Sequence, residues 1–394
     1  MKNGKKKIMI LGGAFTQVPA IEYAKSAGYH VITCDYRPDS PGHKISDEYH
    51  NISTIDMETI LNKAKELKID GILGFASDYS AATAAYISDK LNLPGSSYES
   101  VNILRRKDIF RKLQVDNDLN SVRFYIVEDN EVTRLCKGFD FPIVVKPVDS
   151  TGSKGVVIVY DEADFNESIE KALSYSICNK CIVEEYIDTS HLQLHGDGFV
   201  FGGKLVFLGL CDQYHNNMAP LASVYPPTVS DDILAKAKCE IEKALNSAGY
   251  EYGGINVEVR IGLDDEIYIV EINPRSGSNY VTQLMKCGTG FDEVKAAVET
   301  AMGKKIEKHE IIERKNCLLY FLIAQNDGIL DRINLEGEIS EHIKHVYTNK
   351  KSGDSVHKHR SGADIVAFLI AGYENGLALE KMMDELYTSV VLRT

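Results

Sequence analysis

The stretch "YIVEINPRSGSN", residues 268–279, spaces Glu271, Asn273 and Arg275 two residues apart. In an extended backbone, residues two apart point to one side. A carboxylate, an amide and a guanidinium on one face need polar partners wherever that face is covered. Just upstream, "INVEVRI" sets Asn256, Glu258 and Arg260 on one face and Ile255, Val257 and Val259 on the other. Glu258 and Glu271 lie symmetrically about the short turn "LDD", with 12 residues between them. Antiparallel pairing brings both carboxylates together, with Asn273 alongside. Two carboxylates that close repel unless a cation sits between them. Oxygen ligands from Asp, Glu and Asn suit Mg²⁺, which completes its shell with waters and substrate phosphates. The plainer reading is the exposed polar face of a hairpin.

A second stretch points the same way. In "VVKPVDSTGSKGVVIV", Lys146 ends an apolar strand and "DSTGSKG" follows. Small residues there leave backbone N–H groups free to curl round phosphate oxygens. The spacing is not that of a Walker loop. Alone, the stretch reads equally well as a hairpin loop with Gly152 and Gly155.

These residues need elements to carry them. The first hundred residues alternate as strand and helix: "KIMIL", a helix ending at Gly28, "YHVITCD", "METILNKAKELKID", "GILGF", and "SAATAAYISDKLNLPG" closed by Pro94 and Gly95. That alternation predicts a parallel sheet with helices on its faces. The turn "GGAFTQ" and Asp35 hint at a dinucleotide site, but only Gly12 and Gly13 of the G-x-G-x-x-G pattern are present. Residues 101–116 read as one basic amphipathic helix, and a helix near 163–177 and the strand "CIVEEYI" follow. Gly202 and Gly203 form a hairpin turn between two strands. Helices are expected at 231–248 and 291–302, then mixed strands and a helix in "YENGLALEKMMDELY".

The chain has 394 residues, 44% hydrophobic and 26% charged, enough for two or three domains with substantial cores. Its net charge of -13 argues against a nucleic-acid partner, whose phosphates need a basic surface. No apolar run approaches membrane-spanning length, and the start "MKNGKKKIMILGG" is not a signal peptide. The expected location is cytoplasmic. Of eight cysteines, including Cys136, only Cys178 and Cys181 form a C-x-x-C, and no second pair completes a zinc site. Reduced thiols are the plain reading.

In order along the chain stand Lys107 in "RRKDIFRKL", Lys146 in "FPIVVKP", "DSTGSKGV", "VEEYI", "INVEV" with Glu258, and "VEINPRSGS" with Glu271, Asn273 and Arg275. On this series the chain resembles ATP-grasp enzymes, and more diffusely the branches related to L-amino-acid ligases and carbamoyl-phosphate-synthetase-like proteins. The resemblance implies an α/β fold, with α+β parts. It has an N-terminal βαβ domain (1–100), an ATP-grasp core (101–310) with a mobile lid at about 120–187, and a C-terminal α+β region (311–394). It implies that Lys107 and Lys146 reach ATP phosphates, and that Ser150, Thr151, Gly152, Ser153 and Gly155 form the flap over them. Glu184 and Ile187 bracket adenine through main-chain atoms, with the Glu185 side chain nearby. Glu258, Glu271 and Asn273 hold one or two Mg²⁺, with Mn²⁺ as a substitute. Arg275, with Lys146, serves the transferred phosphoryl group or the substrate carboxylate. The family's ribose-binding Glu is replaced here by His191, which as a neutral imidazole can accept from a hydroxyl.

The implied function is ATP-dependent joining of a carboxylate to an amine through an acyl phosphate, releasing ADP and phosphate. The substrates are small molecules such as amino acids, with a homodimer as the allowed assembly. Segments 212–220 and 276–284 are candidates for choosing acid and amine. The rivals are an ATP-grasp carboxylase or carboxylate kinase, an NAD-dependent oxidoreductase using the first domain, and a silent nucleotide sensor.

Overall fold

The computed structural model describes residues 4–128, 138–216, 219–360 and 362–393. Cys136, part of the expected lid, and Asn217 and Met218 of the 212–220 segment lie outside the described residues.

Strands β1 (Lys7–Leu11), β2 (His30–Cys34), β3 (Glu48–His50) and β4 (Gly71–Leu73) form a parallel sheet in the order β3-β2-β1-β4. Ile8, Met9, Ile10 and Leu11 are fully buried, as expected when helices cover both faces. The "GGAFTQ" turn is filled from within. A Cβ on Gly13 would collide with the His43 ring, and the Gln17 amide donates to the Phe75 carbonyl at 2.8 Å. Asp35 accepts from the Gly13 and Arg37 backbone N–H groups. The turn is thus packed from within by His43 and Gln17 and tied down by Asp35.

The expected helix over 101–116 is two helices, Tyr98–Arg105 and Lys107–Asp116. The break is Arg106, with φ −95° and ψ 108°, whose guanidinium folds onto Asp108 at 2.7 Å. The Lys107 N–H donates out of the helix to the Val148 carbonyl at 3.0 Å. The amphipathic period runs across the break and so conceals it.

Strands β5 (Phe124–Glu128), β6 (Ile143–Pro147), β7 (Val157–Val159) and β8 (Lys180–Glu185) make a second sheet, ordered β5-β8-β6-β7. Helix Phe165–Ser174 seals one face of it with Phe165, Ile169 and Ala172.

The site stands on a larger sheet. Its first strands are β9 (Gln193–Phe201), β10 (Lys204–Asn216), β11 (Ala219–Tyr225), β12 (Tyr252–Ile261) and β13 (Ile267–Asn273). The C-terminal strands are β14 (Cys317–Ile323), β15 (Gly328–Ile333), β16 (Ile343–Thr348), β17 (Ser355–Val356), β18 (Ile365–Gly372) and β19 (Val390–Leu392). Among the described residues, eight of these strands form one antiparallel sheet in the order β13-β12-β9-β10-β11-β14-β18-β16. Strands from beyond residue 311 therefore extend the sheet that carries Glu258, through β11 paired with β14. The other three form a small sheet, β17-β15-β19. One face of β12 and β13 is apolar and packs on helix Asp231–Ser247 through Val257, Val259, Ile269, Ile272 and Ile241. Helix Val281–Thr289, not foreseen from the sequence, follows β13 directly.

Candidate functional site

β12 and β13 pair so that Glu258 lies opposite Glu271 and Asn256 opposite Asn273. The next strand, β9, sets His195 beside Glu258 and Asp197 beside Asn256. Strand alternation thus gathers Gln193, His195, Asp197, Asn256, Glu258, Glu271 and Asn273 on one face, away from the apolar core. The expectation from spacing holds for the two carboxylates and Asn273. It stops at Arg275, because β13 ends at Asn273 and the Arg275 N–H turns back to the Asn273 carbonyl at 2.8 Å.

Helix Lys107–Asp116 delivers Lys107 from its first turn. Its Nζ lies 2.9 Å from Glu271 Oε2 and donates to the Ser150 carbonyl at 3.2 Å. Asn273 donates to the other Glu271 oxygen at 2.8 Å. Burial alone would raise the Glu271 carboxyl, but Lys107 overrides it and holds the group down at about 2. Among the described residues no cation pairs directly with Glu258, although the charges of Lys107, Lys146 and Arg275 act on it. It accepts from the Gln193 amide at 3.1 Å, and burial, then the Glu271 charge, push it up to about 7. Two facing carboxylates with one directly paired ammonium are an arrangement that a divalent cation suits. Among the described residues, no group of three or more His, Cys, Asp or Glu converges on a metal position. Two carboxylates and an amide fit Mg²⁺, which keeps waters and takes phosphate oxygens.

Lys146, from β6, lies 2.6 Å from Glu184 Oε2. Burial pulls its ammonium below the usual lysine range, and Glu184 only partly offsets this. Glu184, near the end of β8, also receives Arg111 Nε at 2.9 Å. Burial would raise its carboxyl, but Arg111 and then Lys146 hold it at about 2. The Glu184 side chain therefore has work of its own, apart from any contact of its main chain. Glu185 is exposed, and the Ile187 carbonyl accepts from Arg260 at 3.4 Å. The half-exposed His191 lies before β9, not within it, 3.5 Å from Asp265 in the β12–β13 turn. On β9, Gln193 and His195 share a strand face, and His195 is buried against the Ser223 hydroxyl at 2.7 Å, where burial lowers it to about 3.

The loop from Ser150 to Gly155 bridges β6 and β7. Gly152, Ser153 and Gly155 all have left-handed φ, at 65°, 56° and 76°. Asp149 anchors its base, accepting from the Ser176 hydroxyl at 2.9 Å and from the Ile177 and Cys178 N–H groups. Cys178 is thus part of this anchor, and burial raises both its thiol and that of Cys181, the latter to about 12. Neither is a ready thiolate.

Arg275 is partly buried and committed. Its Nε lies 2.9 Å from Asp78 Oδ1 and its Nη1 donates to the Ser276 carbonyl at 3.2 Å. Asp78 opens the helix Asp78–Leu91, whose cap Ser77 accepts from Ser80 N–H. Beneath Arg275, Asp197 and Glu293 are both buried, and three of their four carboxylate oxygens have no hydrogen-bond partner. Burial raises Asp197 to about 6, and burial, then the Asp197 charge, lifts Glu293 well above the usual range. Sequence reading missed Asp78, Arg111, Asp197 and Glu293, which lie in helices or strands where nothing local marks them.

A family model described as "ATP-grasp domain" matches residues 139–283, spanning the loop, β8, the paired carboxylates and Arg275. The carbamoyl phosphate synthase large chain of Archaeoglobus fulgidus is 24% identical over 359 residues, which cover 86% of this chain and 32% of that protein. This chain thus spans about a third of that relative's length. Among solved structures, the L-amino acid ligase from Bacillus licheniformis superposes with a TM-score of 0.85 at 19% identity, covering 99% of each chain. The biotin carboxylase domain dimer of Hydrogenobacter thermophilus 2-oxoglutarate carboxylase, in complex with MgADP, ADP and bicarbonate, reaches 0.79 at 17% identity, covering 98% and 90%. At these identities the structural likeness establishes the fold. With the matched residues, it means that this chain carries an ATP-grasp domain.

Proposed function

We propose that the chain is an ATP-dependent ligase that joins a small carboxylate to an amine and releases ADP and phosphate. The observation that carries this reading is the partly buried, facing Glu258–Glu271 pair, with Lys107 at one carboxylate and Lys146 held nearby by Glu184. In this reading Lys107, Lys146 and the loop Ser150, Thr151, Gly152, Ser153 and Gly155 bind the ATP phosphates. Glu184, Glu185 and Ile187 border the adenine, and His191 meets the ribose. Glu258, Glu271 and Asn273 hold Mg²⁺, which when bound neutralises the phosphates and orients them for transfer. Arg275, kept in place by Asp78, offers its charge to the transferred phosphoryl group.

The chemistry asks for positioning and charge neutralisation, not for a protein nucleophile. The substrate carboxylate attacks the γ-phosphorus, and ADP leaves. The amine then attacks the acyl carbon, phosphate departs with one carboxylate oxygen, and the amide remains. The Bacillus licheniformis neighbour, named for an amino-acid ligase, supports amino acids as the first substrates to try. A homodimer and a cytoplasmic location belong to the same proposal. Among the described residues, no helix is long and apolar enough to cross a membrane.

The test is a screen of amino acids and other carboxylates, paired with amines, for substrate-dependent ADP release, repeated with ¹⁸O-labelled acid on any hit. Label should appear in inorganic phosphate. AMP and pyrophosphate would overturn the reading. ADP with a stable phosphorylated acid and no amide would assign a carboxylate kinase, and bicarbonate-dependent ADP release a carboxylase.

A further inference from the structure

The facing of Glu258 and Glu271 depends on an irregularity in β13. Glu258 and Val259 are consecutive, but their partners are Glu271 and Ile269, so Val270 is an extra residue in the ladder. Side chains confirm the change of phase. Ile267 and Ile269 lie in the apolar core, and so does Ile272, which strict alternation from Ile269 would turn to the other face. Without the bulge, Glu271 and Asn273 would follow Ile269 into that core. A bulge also takes carbonyls out of the regular ladder, and they need other donors.

Arg111 supplies them. Its Nη1 donates to the Ile269 carbonyl at 2.9 Å and its Nη2 to the Val270 carbonyl at 3.0 Å. Its Nε and Nη2 also meet Glu184 at 2.9 and 3.4 Å, and Nη1 meets Gln114 at 2.6 Å. A guanidinium has five N–H donors in a fixed fork, and all are used here. The residue is 2% exposed. Arg111 follows Lys107 by four residues, so one helix face presents Lys107 to the Glu271 carboxylate and Arg111 to the backbone just before it.

We propose that Arg111 is the positioning residue of this site: it holds the Val270 bulge that turns Glu271 toward Glu258, and through Glu184 it fixes Lys146. The inference rests on reading Glu258 and Glu271 as the Mg²⁺-holding pair. A lysine at 111 keeps the charge but has three donors and no fork, so it cannot hold both carbonyls and the Glu184 carboxylate together.

The experiment measures ADP binding by calorimetry with and without Mg²⁺, and amide hydrogen exchange over residues 269–272, for the native chain, Arg111→Lys and Glu184→Gln. Arg111→Lys should cut the Mg²⁺ enhancement of ADP affinity at least tenfold and speed exchange at 269–272. Glu184→Gln should weaken ADP binding with and without Mg²⁺ alike and leave exchange at 269–272 unchanged. If Arg111→Lys does not fold, Gln114→Met, which removes one of the five acceptors, carries the same test. An unchanged Mg²⁺ enhancement in the substituted chain, with native exchange at 269–272, overturns the proposal. A native chain that binds no ADP even with Mg²⁺ overturns the nucleotide reading itself, and the exchange measurement then still tests the hold of Arg111 on the bulge.

Discussion

Arg275 and Asp78, 197 residues apart, form a two-pronged ion pair, Nε to Oδ1 at 2.9 Å and Nη2 to Oδ2 at 3.3 Å. The pair joins the exit of β13 to the first turn of a helix that covers the parallel sheet. The guanidinium therefore arrives with its direction set by the N-terminal unit, and the spacing within "EINPR" contributes little to it.

Arg275→Lys keeps the charge and loses the fork. Phosphoryl transfer, followed as single-turnover ADP formation, should slow by about tenfold or more, as a displacement of order 1 Å suffices for a loss of that size. Asp78→Ala should instead lower thermal stability, since leaving one partner of a buried pair alone costs about 3–5 kcal/mol. A native rate in Arg275→Lys would reduce the pair to a structural link.

Glu271→Gln should abolish ADP formation while circular dichroism stays native, although the melting temperature should fall because Lys107 loses its charged partner. The amide keeps the shape but not the charge that balances Lys107 and draws Mg²⁺. An active variant at ordinary Mg²⁺ would remove Glu271 from the metal.

Gly152 and Gly155 should respond differently to substitution. Gly152 has φ 65° with open space around it, so Gly152→Ala carries only a backbone penalty of about 1 kcal/mol. It should raise the KM for ATP with little change in melting temperature. A Cβ on Gly155 would meet Pro147 and Tyr175 at 2.9 Å, so Gly155→Val should lower stability as well as activity. Identical kinetics in Gly152→Ala would return the loop to an ordinary hairpin.

Glu184 gives a pH signature. Its carboxyl is held at about 2 in the folded chain, below the usual value of 4.5, by Arg111 and Lys146 acting against burial. A depressed carboxyl stabilises the fold above its unfolded pKa and loses that contribution as pH falls toward the folded one. The contribution is on the order of 3 kcal/mol by the usual conversion. Denaturant melts should therefore show the native chain most ahead of Glu184→Gln above about pH 5, with the gap closing toward pH 2. A gap independent of pH would mean that the charge of Glu184 is not what matters.

The features that sequence alone determined are those with a local cause. Alternating apolar runs and turn residues mark the βαβ start, Gly202 and Gly203 close a hairpin, and "LDD" joins two strands into the antiparallel pair that carries Glu258 and Glu271. Each depends on neighbours within about a dozen residues, so the period of the chain expresses it. The tertiary structure decided what depends on distant partners. The amphipathic run at 101–116 does not reveal its break, because Arg106 is turned by a bond from Lys107 to Val148 across 41 residues. Nothing near Val270 announces a bulge, because the donor that satisfies its carbonyl comes from Arg111, 159 residues earlier. Strand β14 reads the same wherever it pairs, and only its partner β11 makes it part of the sheet that bears the site. Asp197 and Glu293 look like ordinary surface acids until packing buries them together near Arg275, where dehydration raises both and the Asp197 charge lifts Glu293 further.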